Sequence, residues 1–139
     1  MAFLFAGMTG CSKEETVKID EYDWNLTFVL SSEDGTVLGC APEHYEVHKE
    51  DENIKEMNLD CVVSDGKYTI VDHTNDAEYS GTYEILEEDK ESVIYTLTSE
   101  EGTGMAVTSI TKADDGSRTP TLIISMGDYD LNFQSEEID

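Results

Sequence analysis

The chain has 139 residues, the usual length of one domain, and carries 32 Asp and Glu against 8 Lys and Arg, a formal net charge of −24. This excess of acid disfavours nucleic-acid binding, which depends on Lys and Arg displacing counterions from phosphates, and also direct adsorption to anionic lipid. Hydrophobic residues make up 38% of the chain and fall in strand-length runs, which favours a folded, soluble domain over a disordered acidic tail.

The amino terminus begins with eight uncharged, mostly apolar residues, followed by Thr-Gly-Cys-Ser at residues 9–12. This segment resembles the lipobox of bacterial lipoprotein signal peptides, in which a small residue precedes the acylated cysteine. The resemblance implies that Gly10 and Cys11 occupy those positions and that Cys11 is lipidated. No Lys or Arg precedes Lys13, whereas a secretory signal starts with a basic stretch, so we expect a truncated signal. The run is too short for a transmembrane helix.

The lipoprotein interpretation divides the chain into four parts. Residues 1–11 are then the signal segment, 12–22 a polar tether, 23–134 a single all-β domain and 135–139 a polar tail. We expect the protein to lie outside the cytoplasm, anchored by lipid to the bacterial cell membrane and touching the membrane only through that anchor. The alternative is that the first apolar run forms a buried strand with an ordinary cysteine.

Beyond residue 23, apolar and polar residues alternate over short segments, the pattern of half-buried strands. Asp34-Gly35 and Asp65-Gly66 indicate tight hairpin turns. Residues 42–56 lack the alternation and place Pro42 where a helix can begin, which predicts a short helix or an ordered loop. The nine predicted strands are 24–30, 37–40, 57–63, 67–72, 79–86, 92–98, 105–111, 121–125 and 129–133.

Short connections between so many strands predict an antiparallel meander that closes into a barrel or a strongly curled sheet. Trp24 at the head of the first strand, Gly81-Thr82-Tyr83 in a middle strand and the closing run from Tyr129 to Phe133 resemble the small lipocalin-like lipoproteins of bacteria. The resemblance covers residues 24–133. It implies an antiparallel barrel, in some members with an interior that holds a ligand.

Two cysteines, Cys40 and Cys61, remain if Cys11 is lipidated. Export would place this even pair where disulfides persist, so we expect them to be bonded. A bond would stabilise the fold by roughly 3 kcal/mol in the chain-entropy model. The alternative is two buried thiols, because the sequence does not show whether their Cα atoms lie within reach.

Aromatic residues fall on the alternating faces of several predicted strands. In a barrel they are candidates to line an apolar pocket for a small hydrophobic ligand, or else to fill a packed core. The candidate lining residues are Trp24, Tyr68, Tyr83, Tyr95 and Phe133.

Catalytic and metal-binding patterns are weak along the whole chain. His44 and His48 are four residues apart, but Tyr45 stands where a zinc protease has Glu, and two ligands are too few for a zinc site. The Ser nucleophile motif Gly-x-Ser-x-Gly does not occur. We therefore expect no catalytic residue, no metal and no cofactor.

The sequence leads to a hypothesis of a monomeric, non-enzymatic surface lipoprotein. Its barrel would hold a small apolar ligand, or would keep a packed core and present loops to an extracellular protein or glycan. An envelope hydrolase is the third hypothesis, and it would need acids or histidines clustered in one cleft. Nucleic acid is not an expected partner.

Overall fold

The computed structural model describes residues 17–48, 50–51, 53–100 and 102–136, and this part of the chain is almost entirely β-structure. A 3-10 helix spans Ile19–Glu21 and one α-helix, α1, spans Pro42–His48, within the segment where a short helix was predicted. The ten strands are β1 (Trp24–Ser31), β2 (Val37–Cys40), β3 (Lys55–Glu56), β4 (Leu59–Ser64), β5 (Lys67–Asp72), β6 (Ala77–Glu88), β7 (Ser92–Ser99), β8 (Gly102–Lys112), β9 (Arg118–Met126) and β10 (Tyr129–Gln134).

Eight of these strands form a closed antiparallel barrel. Strands β4 to β10 pair with their chain neighbours in order, β10 pairs with β1, and β1 closes the ring on β4. The remaining two strands lie outside the ring: β2 pairs antiparallel with β1, and β3 pairs parallel with β2. The all-β class and the closed antiparallel meander predicted from the sequence are confirmed.

The hairpin from β4 to β5 shows how the sequence sets this arrangement. Along β5, Tyr68, Ile70 and Asp72 are buried while the intervening residues are partly exposed, as expected for a strand with one face on the core. The turn before it places Asp65 at φ 52° and Gly66 at φ 78°. Two successive positive φ angles give the turn the twist that suits a two-residue hairpin loop.

Gly81 allows a close approach inside the barrel. It pairs with Tyr68 across β5 and β6. A Cβ at this position would overlap the carbonyl oxygen of Thr98 and would lie 2.7 Å from the Tyr68 hydroxyl. The absent side chain therefore leaves space for the Tyr68 ring within the barrel.

The predicted polar tether at residues 12–22 is wrong for its second half. Val17 and Ile19 are buried and belong to the main core cluster, so the chain is packed from the first residue that the structure describes. Cys11, the signal segment and the rest of the tether lie outside the described residues. In the predicted tail, the Ser135 amide donates to the Pro120 carbonyl at 3.1 Å.

Candidate functional site

One end of the barrel is closed by the segment that precedes β1. The Trp24 indole Nε1 donates to the Ile19 carbonyl at 2.8 Å, and the Ile19 amide donates to the Tyr95 hydroxyl at 2.9 Å. Nearby, the Thr108 hydroxyl donates to the Val17 carbonyl at 2.6 Å. All three bonds are buried, so the segment meets the barrel with its backbone polar groups paired, as a buried backbone requires.

The opposite end of the barrel contains a cavity of about 650 Å³. It lies where β1 ends and β10 begins, away from the packed half that holds Trp24, Tyr95 and Phe133. This volume is within the range of small-molecule sites. The lining residues are predominantly apolar and aromatic: Val29, Leu38, Met57, Leu59, Tyr68, Ile70, Tyr79, Met126, Tyr129 and Leu131, with Asn53, Lys55, Asp72, Ser80 and Ser99 as the polar members.

The wall of the cavity beside β1 is built by the insertion between β1 and β4. β1 pairs with β4 through two residues, Trp24 and Asn25, and from Phe28 onward this edge of β1 pairs with β2 instead. The insertion supplies Leu38, Asn53, Lys55 and Met57 to the lining. The cavity therefore depends on a segment that the barrel ring itself does not include.

Two tyrosines, Tyr79 on β6 and Tyr129 on β10, line the cavity and remain about half exposed, at 46% and 53%. Such rings present an apolar body and a polar hydroxyl, which suits the boundary between a ligand site and water. The entrance can therefore contact both the apolar part of a ligand and its hydrated end.

The buried acid in the lining, Asp72, has its carboxylate engaged by the turn that follows β5. One oxygen accepts from the amides of Thr74 and Asn75 at 3.0 Å each, and the other accepts from the Asn75 side-chain amide at 2.9 Å. These bonds account for its burial, because a buried carboxylate needs several donors. Asp72 thus holds the turn rather than facing the cavity as a free charge.

The five aromatic residues predicted to line a pocket are all on the barrel's interior, but at different heights. Tyr68 lines the cavity. Trp24, Tyr95 and Phe133 are buried in the core cluster and do not line it. Tyr83 packs edge-on against Tyr95 with ring centroids 5.6 Å apart, and its burial raises the pKa of its hydroxyl. The barrel interior therefore contains both predicted arrangements: one half is a packed core and the other half is a cavity.

Sequence reasoning did not identify the residues that shape the entrance. Asn53 and Lys55 belong to the stretch without strand alternation, whereas Met57 and Leu131 were each only one apolar residue of a predicted strand. The sequence did indicate where the insertion ends. Met57 and Leu59 begin an alternating strand pattern directly after Lys55, so the chain returns to the barrel there. Only the pairing of the strands shows that this segment lies at the open end of the barrel.

The disulfide expected between Cys40 and Cys61 is not formed, because both are free, buried thiols. Cys61 pairs with Trp24 and belongs to the main core cluster, whereas Cys40 pairs with Phe28 and lies outside that cluster. They therefore occupy different environments. Burial raises the pKa of the Cys61 thiol to about 12, so it is protonated and unreactive at neutral pH.

His44, one of the two histidines considered for a zinc site, does not line the cavity, and neither does the further histidine His73. His44 stacks on Phe28 with ring centroids 5.0 Å apart, and His73 lies 2.8 Å from an Asp60 carboxylate oxygen in an exposed pair. Within the described residues, no group of three or more His, Cys, Asp or Glu is placed to hold a metal, and no helix has the length and apolar character needed to cross a bilayer. Comparison of the chain with protein-family models, with curated proteins and with solved structures found no match.

Proposed function

We propose that this chain is a non-enzymatic binding protein that holds a small apolar ligand in the open end of a lipocalin-like barrel. The observation that carries the proposal is the cavity of about 650 Å³ with a mostly apolar lining. A small barrel is normally filled by side chains, so a hollow half needs an explanation. The closed end supports the same function, because a barrel that is packed at one end and hollow at the other can hold a ligand that enters from the open end.

Binding of straight-chain alcohols of increasing length tests this function without assuming a head group. We expect affinity to rise about fourfold with each added methylene until the cavity is full, because burying one methylene contributes roughly 0.8 kcal/mol. Titration calorimetry on the full chain gives the series. Equal affinities along the series, or no binding of any member, would contradict the proposal.

We further propose that the protein is exported and anchored by a lipid on Cys11. The support is the sequence alone, because residues 1–16 lie outside those described. The six Cα steps from Cys11 to Val17 span at most roughly 20 Å when fully extended. Val17 packs at the closed end of the barrel, so an anchor on Cys11 would hold that end near the bilayer, with the cavity at the far end.

Expression in a bacterial host with an isotopically labelled fatty acid tests the anchor. We expect the label and membrane association in the parent chain expressed behind a complete lipoprotein signal peptide, and neither in Cys11→Ser expressed in the same way. Cys40→Ser is the matched control and should keep both. A label that persists in Cys11→Ser, or a mature protein whose mass retains residues 1–11 unmodified, would refute the anchor.

A further inference from the structure

Lys55 is the lone cation on the lining of the cavity as the structure describes it. Its side chain is exposed and forms no hydrogen bond or ion pair with any other described residue. Lys18, at the closed end, instead pairs with Glu88 at 3.2 Å. In a chain with 8 basic and 32 acidic side chains, an ammonium on the cavity lining that has no acidic partner among the described residues is unusual.

Among the described residues, the acid of the cavity lining and the acid beside Lys55 on β3 are both directed elsewhere. Asp72 uses both carboxylate oxygens to hold the turn after β5. Glu56 follows Lys55 on β3, and adjacent residues of a strand project to opposite faces. Consistent with this, Glu56 acts electrostatically on Cys40, which lies outside the core cluster. Among the described residues that line the cavity, the charge available to a ligand is therefore the positive charge of Lys55.

Resting on the proposed function, we propose that the ligand is an anionic amphiphile whose chain fills the cavity and whose charged group pairs with Lys55. Asn53 lines the same wall of the cavity and carries a side-chain amide that can donate to an anion. The shared chemistry is an apolar chain that ends in a carboxylate, sulfate or phosphate, and a free acid and a lipid headgroup both meet it.

The net charge of −24 opposes this selectivity at long range but does not remove it. The Debye length is about 8 Å at 0.15 M ionic strength, so distant acids are largely screened while a contact at Lys55 is not. An ion pair at a solvated rim contributes up to about 1 kcal/mol, which corresponds to a preference for the anion of up to about fivefold.

Titration calorimetry with dodecanoate, dodecanol and dodecylammonium measures this preference on the full chain at 0.15 M salt, below micelle formation. We expect dodecanoate to bind up to about fivefold more tightly than dodecanol, and dodecylammonium to bind more weakly than either. Lys55→Gln should lower the affinity for dodecanoate to that for dodecanol, because the charge that pairs with the acid is removed. Lys90→Gln removes the same charge from the exposed β6–β7 turn and should keep the preference.

The outcomes separate this inference from the proposed function. If dodecanol binds and dodecanoate binds no more tightly, the cavity is a ligand site but the anionic group is wrong. A preference for dodecylammonium, or an acid preference that survives Lys55→Gln, overturns the role of Lys55 in the same way. If none of the three dodecyl compounds binds, both the proposed function and this inference are wrong. A thermal unfolding temperature of Lys55→Gln equal to that of the parent chain shows that the variant is folded.

Discussion

Replacing Leu131 by Trp should weaken binding of apolar ligands by about fiftyfold while the barrel stays folded. Leu131 lies on β10, is half-buried and lines the cavity, with Val29 and Ile124 as its partners across the sheet. The Trp side chain can extend into the cavity, so we expect the barrel to stay folded. If it displaces about three methylenes of ligand, the loss is roughly 2.4 kcal/mol of transfer free energy.

A matched substitution on the outer surface isolates the effect of filling the cavity. Ile123, on β9, pairs with Asn132 and is 39% exposed, so Ile123→Trp adds the same ring without entering the barrel. We expect its dodecanol affinity to equal that of the parent chain by titration calorimetry, with thermal unfolding as the control on both variants. If Leu131→Trp binds normally, ligands do not occupy this cavity. If both variants lose binding equally, the loss is not specific to the cavity.

Alternation of apolar and polar residues was enough to predict the barrel. The pattern identified nine strands, and the structure adds β3, whose two residues are too few to show a period. The short connections predicted neighbours that pair in chain order, and β4 to β10 do so, but β2 lies outside the ring, which closes between β1 and β4. The two predicted Asp-Gly hairpin turns also fall between paired strands.

Alternation could not predict the height of a side chain along the barrel axis. Tyr68 and Tyr95 both point inward, but Tyr68 pairs with Gly81 near the cavity, and Tyr95 pairs with Ile85 and Ala106 toward the closed end. Pairing register decides between these heights, and register is a property of two strands. For this reason the sequence placed the aromatic residues on the inward face but did not separate Tyr68, which lines the cavity, from those in the packed half.

The buried segment before β1 was missed for a related reason. Val17 and Ile19 are two apolar residues in a charged stretch, and neither belongs to a run long enough to indicate a strand or a helix. Their burial comes from partners far along the chain, Thr108 and Tyr95, which hold the backbone at both positions. Only the closed barrel brings those partners to the segment.

Removing the two side-chain contacts to the Ile19 backbone should give the largest losses of stability. Trp24→Phe leaves the Ile19 carbonyl without its donor, and Tyr95→Phe leaves the Ile19 amide without its acceptor. An unpaired buried polar group costs about 1–3 kcal/mol, a large share of the roughly 5–15 kcal/mol that stabilises a small domain. Urea unfolding of the purified variants measures both losses, and Tyr129→Phe at the exposed rim should change stability by less than about 0.5 kcal/mol.

The double variant tests whether the segment is held as one unit. If losing either contact releases Ile19 to water, the second substitution removes a contact that is already broken, and the combined loss is smaller than the sum of the single losses. We therefore expect sub-additive free energies of unfolding. Strict additivity would show two independent bonds on a segment that stays in place. If Trp24→Phe and Tyr95→Phe each lower the free energy of unfolding by no more than Tyr129→Phe does, this segment does not close the barrel. A buried segment cannot lose the hydrogen-bond partners of its backbone without a loss of stability.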